Sequence, residues 1–362
     1  MRRVLGTFVL AVGTGFAVAA GGSAPPAGGP PGEAPRPAAN PAAGQSVIAP
    51  LAARSLLLDV QAVPGAAGTL VAVGERGHVL KSTDGGGTWT QQPTPTRASL
   101  TAVTFADPQH GWAVGHDEVI LRTTDGGATW TRTHYAPERE QPLLDVWFAD
   151  ANDGLAIGAF STVYRSTDGG ATWSPVEFAP RPLVKAPAKK PAADDSDLDM
   201  ADDDGLDQPH LNAIAGTAGG RLYVAAEAGH LYRSDDGGAT WLELPSPYEG
   251  SFFGVLPLDG DAVLAFGLRG HLFRSDDAGA TWQKLESGTE ALLSGGVRLE
   301  DGSIAIAGLA GTVIVSRDGG RTFVAHREPD RKGFAAVAPG RGGVVLAGEA
   351  GVRTLASTTL AR

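Results

Sequence analysis

Ser82-Thr-Asp84-Gly-Gly86-Gly-Thr88-Trp89 is the stretch that decides the fold, because the chain repeats it five more times. The other copies run from Thr123 to Trp130, Ser166 to Trp173, Ser234 to Trp241, Ser275 to Trp282 and Ser316 to Phe323. Their aspartates, Asp84, Asp125, Asp168, Asp236, Asp277 and Asp318, are 41, 43, 68, 41 and 41 residues apart. A near-constant period interrupted once describes an array of short β units with one insertion. Such a unit cannot bury both faces alone, so it must stack on neighbours.

The octapeptide has its own mechanics. The carboxylate and the Ser/Thr hydroxyl can bond turn backbone groups. The glycines supply positive φ without a Cβ clash. The aromatic residue (Trp89, Trp130, Trp173, Trp241, Trp282 and Phe323) is placed to pack between sheets. This is the Asp-box, or bacterial neuraminidase repeat. In the second unit, strands are expected at Leu100–Phe105, Gly111–Val114, Val119–Thr123 and Thr129–Thr133, separated by Gly/Asp/Pro turns. A seventh unit, Phe334–Leu355, has three such strands and no octapeptide. The expected fold is therefore all-β: a seven-bladed β-propeller over residues 46–362. Residues 46–53 (SVIAPLAA) are expected to supply the missing outer strand of the last blade and so close the ring.

The flanks are of other kinds. Arg2 and Arg3 precede an apolar run from Val4 to Ala20, with Ala17-Val18-Ala19 as a small-residue cleavage site, so residues 1–20 read as a secretory signal. A retained anchor is the alternative. Residues 21–45 are Pro/Gly/Ala-rich and read as a disordered linker. Export to the periplasm or the exterior follows, without a lipidated cysteine, since the chain has no Cys. The same fact excludes disulfides, thiolate metal sites and Cys nucleophiles. A net charge of −11 argues against a nucleic-acid partner. Residues 179–209 form the insertion, read as disordered and acidic; Asp194, Asp195, Asp197, Asp199, Asp202, Asp203, Asp204 and Asp207 crowd its second half. An EF-hand loop fails there, because Met200 stands where the turn glycine is needed and Leu206 where the bidentate acid belongs.

In a four-stranded blade the octapeptide joins strands three and four, on the same face as the turn joining strands one and two. The opposite face, here called the ring face, collects the second-to-third-strand turns and the crossovers between blades. Its loops vary while the octapeptides hold the frame, so function is expected there. The weakly marked contact candidates for a protein partner are Glu75, Arg76, His116, Asp117, Phe160, Glu227, Arg269 and Glu349, with Phe252 at the start of a blade. The insertion is expected to rise from this face.

The repeat's name raises a sialidase-like glycoside hydrolase or a glycan-binding module as the alternative. Such catalysis needs converging arginines and a Tyr–Glu nucleophile pair. Only Arg76 and Arg269 occupy equivalent ring positions, and the neighbours Tyr248 and Glu249 are expected to point apart. No catalytic residue, metal or cofactor is assigned. His78, His230 and His271 share a repeat position but belong to different blades, which favours a structural role over coordination. Lys81, Arg122, Arg165, Arg233 and Arg274 also form a row; their stems are expected to cover the blade while their charges meet nearby Asp.

Phe105-Ala-Asp107-Pro-Gln-His110-Gly111-Trp112-Ala-Val114-Gly115, followed by Val119-Ile-Leu-Arg-Thr-Thr-Asp125-Gly-Gly-Ala-Thr-Trp130, resembles the repeat of the photosystem II stability/assembly factor family. Val146-Trp-Phe148-Ala-Asp150 through Gly154, Gly158 and the third octapeptide repeats the pattern. The resemblance spans residues 46–355. It implies a non-enzymatic, exported propeller that holds membrane-protein subunits during assembly; separately, the chain is expected to be a monomer without a cofactor. The chain departs from the pattern in its acidic insertion, in a ring that is not markedly basic, and in Phe323.

Overall fold

Each octapeptide turn satisfies its own polar groups, and that is why it recurs. In the first, Asp84 Oδ1 accepts the Ser82 hydroxyl at 2.8 Å and the Gly87 and Thr88 N–H groups at 3.0 and 2.9 Å. The Thr88 hydroxyl donates to Oδ2 at 2.7 Å, and Ser82 Oγ accepts the Gly86 N–H. The bonds to the aspartate from the Ser/Thr hydroxyl and from the Thr N–H and hydroxyl recur in the other five boxes from Asp125 to Asp318. A hairpin closed this way needs no help from the rest of the fold.

The computed structural model describes residues 44–183 and 208–360. Between the turns, β-branched and apolar runs form short antiparallel strands. Blade one comprises Leu57–Ala62, Leu70–Gly74, Val79–Ser82 and Thr90–Gln92, paired in that order. Blades two to six repeat this plan, and blade seven has three strands, Phe334–Gly340, Gly343–Gly348 and Gly351–Ala356. The seven-bladed all-β propeller is thus present. The second strand of each blade is buried along its length, or nearly so in blade seven. It lies between two neighbouring sheets, so its sequence is a continuous apolar run. In blade two the strands are Leu100–Phe105, Gly111–Gly115, Ile120–Thr123 and Thr131–His134, within two residues of expectation.

The core lies between blades rather than within them. Trp130 of blade two packs with Val63, Val71 and Val73 of blade one, and Trp241 of blade four with Leu155 and Ile157 of blade three. Trp112 stacks on Phe148 of the next blade, centroids 3.3 Å apart, and donates to Gly169 O at 2.8 Å. The basic row does more than cover blade faces. Arg165 donates to Gly237 O, Arg233 to Ala278 O and Arg274 to Gly319 O, each carbonyl belonging to the next blade's octapeptide. The expected carboxylate contacts are also made, Arg233 with Asp235 and Arg274 with Asp276.

Two expectations need correction. Residues 46–53 do not form an outer strand: they run irregularly, with a 3-10 turn at Ala52–Arg54. Ser46 N–H bonds Thr94 O and Ala49 N–H bonds Gln91 Oε1, both in blade one. Pro50 has no N–H to offer a ladder. What the segment supplies is a crossover. A Cβ on Gly77, Gly229 or Gly270 would meet the carbonyl of Thr96, Tyr248 or Thr289, each in the crossover leaving its blade; on Gly351 it would meet Ala53 O. Ala53 therefore stands where the crossover passes in those blades. The missing octapeptide has a stand-in too. Ser357–Leu360 forms one helical turn, Leu360 is buried with Val297, Leu299 and Leu355, and its carbonyl accepts from Arg317 at 3.0 Å.

The second correction concerns the insertion boundary. Arg181–Pro182, assigned to a disordered segment, form a fifth strand running parallel to Leu242–Glu243 of blade four, with Arg181 N–H on Trp241 O and Leu183 N–H on Glu243 O. The rest of the insertion with its aspartates, the signal segment and nearly all of the linker lie outside the described residues.

Candidate functional site

The second-to-third-strand turns of blades one to five share one backbone device. A 3-10 turn places its central residue in the left-handed region: Arg76, Asp117, Phe160, Ala228 and Arg269 have φ between 51° and 59°. The next residue is also left-handed. It is glycine in five blades, Gly77, Gly229, Gly270, Gly311 and Gly351, but Glu118 (φ 48°) in blade two and Ser161 (φ 54°) in blade three. Two consecutive non-glycine residues there cost of order 1–3 kcal/mol each, and such strain concentrates at functional sites.

Both strained residues are held by the ring face. Glu118 is fully buried; its Oε2 accepts the Tyr164 hydroxyl at 2.7 Å and lies 3.4 Å from His134, while Oε1 lies 3.1 Å from Arg139 Nε. Arg139 also donates to Tyr164 Oη at 3.0 Å and remains half-exposed. Burial, and then the bond to Glu118 and its charge, push the Tyr164 phenol up to about 12, so it stays a donor. Ser161 N–H and hydroxyl both reach Pro209 O, where the chain returns to blade four.

Beside this cluster a cleft of 390 Å³ opens between blades three and four. Arg139, Phe160, Tyr164, Glu177, Phe178, Pro180, Pro209 and Tyr232 line it. Phe160 stands 51% exposed at its edge. The ring of Phe160 meets His210 edge-on at 4.8 Å, and His210 in turn contacts Glu227 at 3.5 Å.

Of the sequence candidates, the fold brings Phe160 and Glu227 together here. The blade-two turn of His116 and Asp117 packs on the crossover that carries Arg139, through Ala136 N–H to Asp117 O. Glu75 and Arg76, Arg269, and Glu349 belong to blades one, five and seven and do not join them. Arg269 borders a separate cleft with His271, Lys284 and Glu290. Phe252 is withdrawn from the contact surface: it is fully buried, opening the inner strand of blade five and packing on Tyr248 and Phe273. Glu118, Arg139, Tyr164 and His210 were missed. The signal for them was the loss of glycine at two of seven equivalent turn positions.

The axis of the ring is an open channel of 570 Å³, lined by the first strands of all blades. Side chains staple these strands in two alternating ways. Asp59 and Asp145 each accept their neighbour's N–H and one from the next blade, Val103 and Ile214 respectively, at 2.7–2.8 Å. Thr101, Asn212 and Ser294 instead donate to the carbonyls of Leu143, Phe252 and Phe334. Enclosure by protein, partly offset by these N–H groups, pushes Asp59 up to about 6 and Asp145 to about 7. Among the described residues no group of three or more His, Asp or Glu is arranged to hold a metal. His230 pairs with Glu243 at 2.8 Å, and His78 is buried.

Octapeptide turns as frame, short stacked sheets and a variable face define an Asp-box propeller. The family model of the photosynthesis system II assembly factor YCF48 matches residues 42–138 and 89–206. YCF48 bound to D1 peptide has the same fold, with a TM-score of 0.61 and 18% identity over 88% of this chain and 97% of that one. YCF48 from Cyanidioschyzon merolae matches at TM-score 0.60 and 18% identity, over 86% and 98%. An ancestral GH74 enzyme reaches 0.61 with 14% identity, over 84% of this chain and 45% of that one. No curated protein matches the sequence. The family model spans less than half of this chain, and the YCF48 structures show that the chain shares their propeller fold.

Proposed function

We propose that the chain is an exported, non-catalytic scaffold whose ring-face cleft between blades three and four holds a segment of a membrane or envelope protein during assembly. The observation that carries this reading is the exposed Phe160, next to the strained Ser161, beside a cleft whose Arg139 is oriented by the strained, buried Glu118 and by Tyr164. An aromatic anchor beside an oriented guanidinium suits protein recognition. The match to YCF48 bound to D1 peptide supports a protein rather than a small-molecule ligand. Export rests on the apolar run at residues 4–20.

The test is affinity capture from detergent-solubilised membranes with the full chain and with Phe160→Asp. The variant is expected to lose the captured protein while melting within about 2 °C of the parent, as exposed sites allow. Retention of the same protein by Phe160→Asp would sink the cleft assignment. The GH74 likeness favours the competing enzyme reading, and turnover of a fluorogenic glycoside panel by the purified chain would decide for it.

A further inference from the structure

Blade seven differs from its siblings at its outer edge. In blades one to six a short strand runs antiparallel along the third strand; Val324–Arg327, for example, pairs with Thr312–Val315. Among the described residues nothing pairs with the outer side of Gly351–Ala356. The direction of its backbone groups follows from the ladder. Ser357 N–H bonds Gly342 O, so in this antiparallel pair the odd-numbered residues face the second strand. Val352, Thr354 and Ala356 therefore turn their N–H and C=O groups outward.

Exposed edges are normally blunted by proline, bulges or free charges. This one has none of these. Its pairing with Gly343–Gly348 runs without a register shift, it contains no proline, and its one charge, Arg353, is tied to Glu328 and Asp330. Apolar surface lies alongside. Val47, Ile48 and Leu51 are the most exposed large apolar side chains of the described residues, on the segment that leads from blade one's outer strand to Gly351.

We propose that the outer edge of blade seven is a second interaction surface, which takes an extended segment of a partner protein as a fourth strand. The incoming segment would lie antiparallel to Gly351–Ala356, exchange backbone hydrogen bonds with Val352, Thr354 and Ala356, and carry apolar side chains toward Val47, Ile48 and Leu51. This is strand addition, in which main-chain bonds give affinity and alternate side chains give choice. The six sibling blades set the geometry and the length, two to four residues. A second copy is the less favoured occupant, because it would bring together two chains of −11 each. The surface is separate from the ring-face cleft and does not depend on it.

The experiment is residue-resolved hydrogen exchange on the full chain, alone and with a synthetic peptide of residues 321–327 (RTFVAHR), the blade-six strand supplied in trans. Alone, the amides of Val352, Thr354 and Ala356 should exchange quickly and Arg353 and Leu355 slowly. Saturating peptide should slow the first three about tenfold or more, in step with the open fraction. Thr354→Pro should abolish that protection without lowering the melting temperature, because proline suits an edge position whose N–H is free. Leu51→Asp is the second variant and should weaken peptide binding with the ladder intact. Slow exchange of all five amides in the free monomer would overturn the proposal, as would a dimer that protects them. So would peptide that leaves 352–356 unprotected.

Discussion

The two kinds of turn in each blade are built on opposite principles. Octapeptide turns are alike in all six copies, each closed by its own aspartate, and their aromatic residue and carbonyl serve the neighbouring blade. Second-to-third-strand turns share a backbone path but not a side-chain set, and in blades two and three they abandon glycine where steric ease demands it. Uniformity on one face frees the other to vary. Strain is informative only against such a uniform background: Glu118 and Ser161 stand out because five siblings show what an unstrained turn looks like.

The largest effect that could break this contrast lies on the octapeptide side. Trp241→Ala should cost about 3–5 kcal/mol, the range for a buried aromatic, because Trp241 fills the space between blades three and four. Leu360→Ala, in the seventh blade's stand-in turn, should cost about 2 kcal/mol, the low end for a buried leucine. Urea unfolding measures both. Equal costs would mean that the helical turn replaces a full octapeptide; a cost under about 1 kcal/mol for Trp241 would remove the octapeptide aromatics from the frame.

A reciprocal swap sharpens the other side. Gly270→Ser places a Cβ 2.0 Å from Thr289 O at φ +67°, so backbone must move, and a loss of about 2–3 kcal/mol is expected. Ser161→Gly relieves strain at the equivalent position but gives up the hydroxyl bond to Pro209 O, so stability should change by less than about 1 kcal/mol. Its effect should fall on partner capture instead. Thermal melting and capture, measured on the same preparations, separate the two. If Ser161→Gly unfolds the protein, the turn serves the frame after all.

Much of this was legible because the repeat reports on itself. One octapeptide at a period near 41 fixed blade number, strand order and face, and the spacing of Asp168 and Asp236 located the insertion. Closure was not legible. SVIAPLAA has strand-forming residues at its start, but whether it pairs or crosses depends on Gly351 admitting the Ala53 carbonyl, a contact across nearly the whole chain. The role of the basic row was half legible, since repeat position exposed the pattern while the acceptors lie about 45 residues away in the next blade. Phe252 misled because a phenylalanine at a blade's start reads alike whether it faces partner or core. Arg139 lies in the crossover that leaves blade two and Tyr164 in blade three, and the two come together over Glu118 of blade two.

The smallest effect concerns carboxylates, which titrate in opposite senses in the octapeptides and at the axis. The Thr172 hydroxyl and N–H, with the Ser166 hydroxyl, hold Asp168 down at about 2. A depressed carboxylate stabilises above its unfolded pKa, about 3.9, and loses that contribution as pH falls toward 2. Asp59 and Asp145 are raised to about 6 and about 7, so between pH 4 and 7 the native protein holds protons that the unfolded chain has released. Their contribution is full below about pH 4 and is lost as pH rises through 7. Both side chains are only half-buried against the axial channel, which tempers the effect. The melting temperature should therefore be about 1–3 °C higher at pH 5 than at pH 8, and should fall steeply below pH 3. Asp145→Asn should flatten the difference between pH 5 and 8 while leaving the acid limb in place, even if it lowers the whole curve. A melting temperature that rises from pH 5 to 8 would mean that the axial carboxylates are ionised without penalty. The staples between inner strands would then be charged hydrogen bonds, and octapeptides and axis would share one electrostatic principle rather than two.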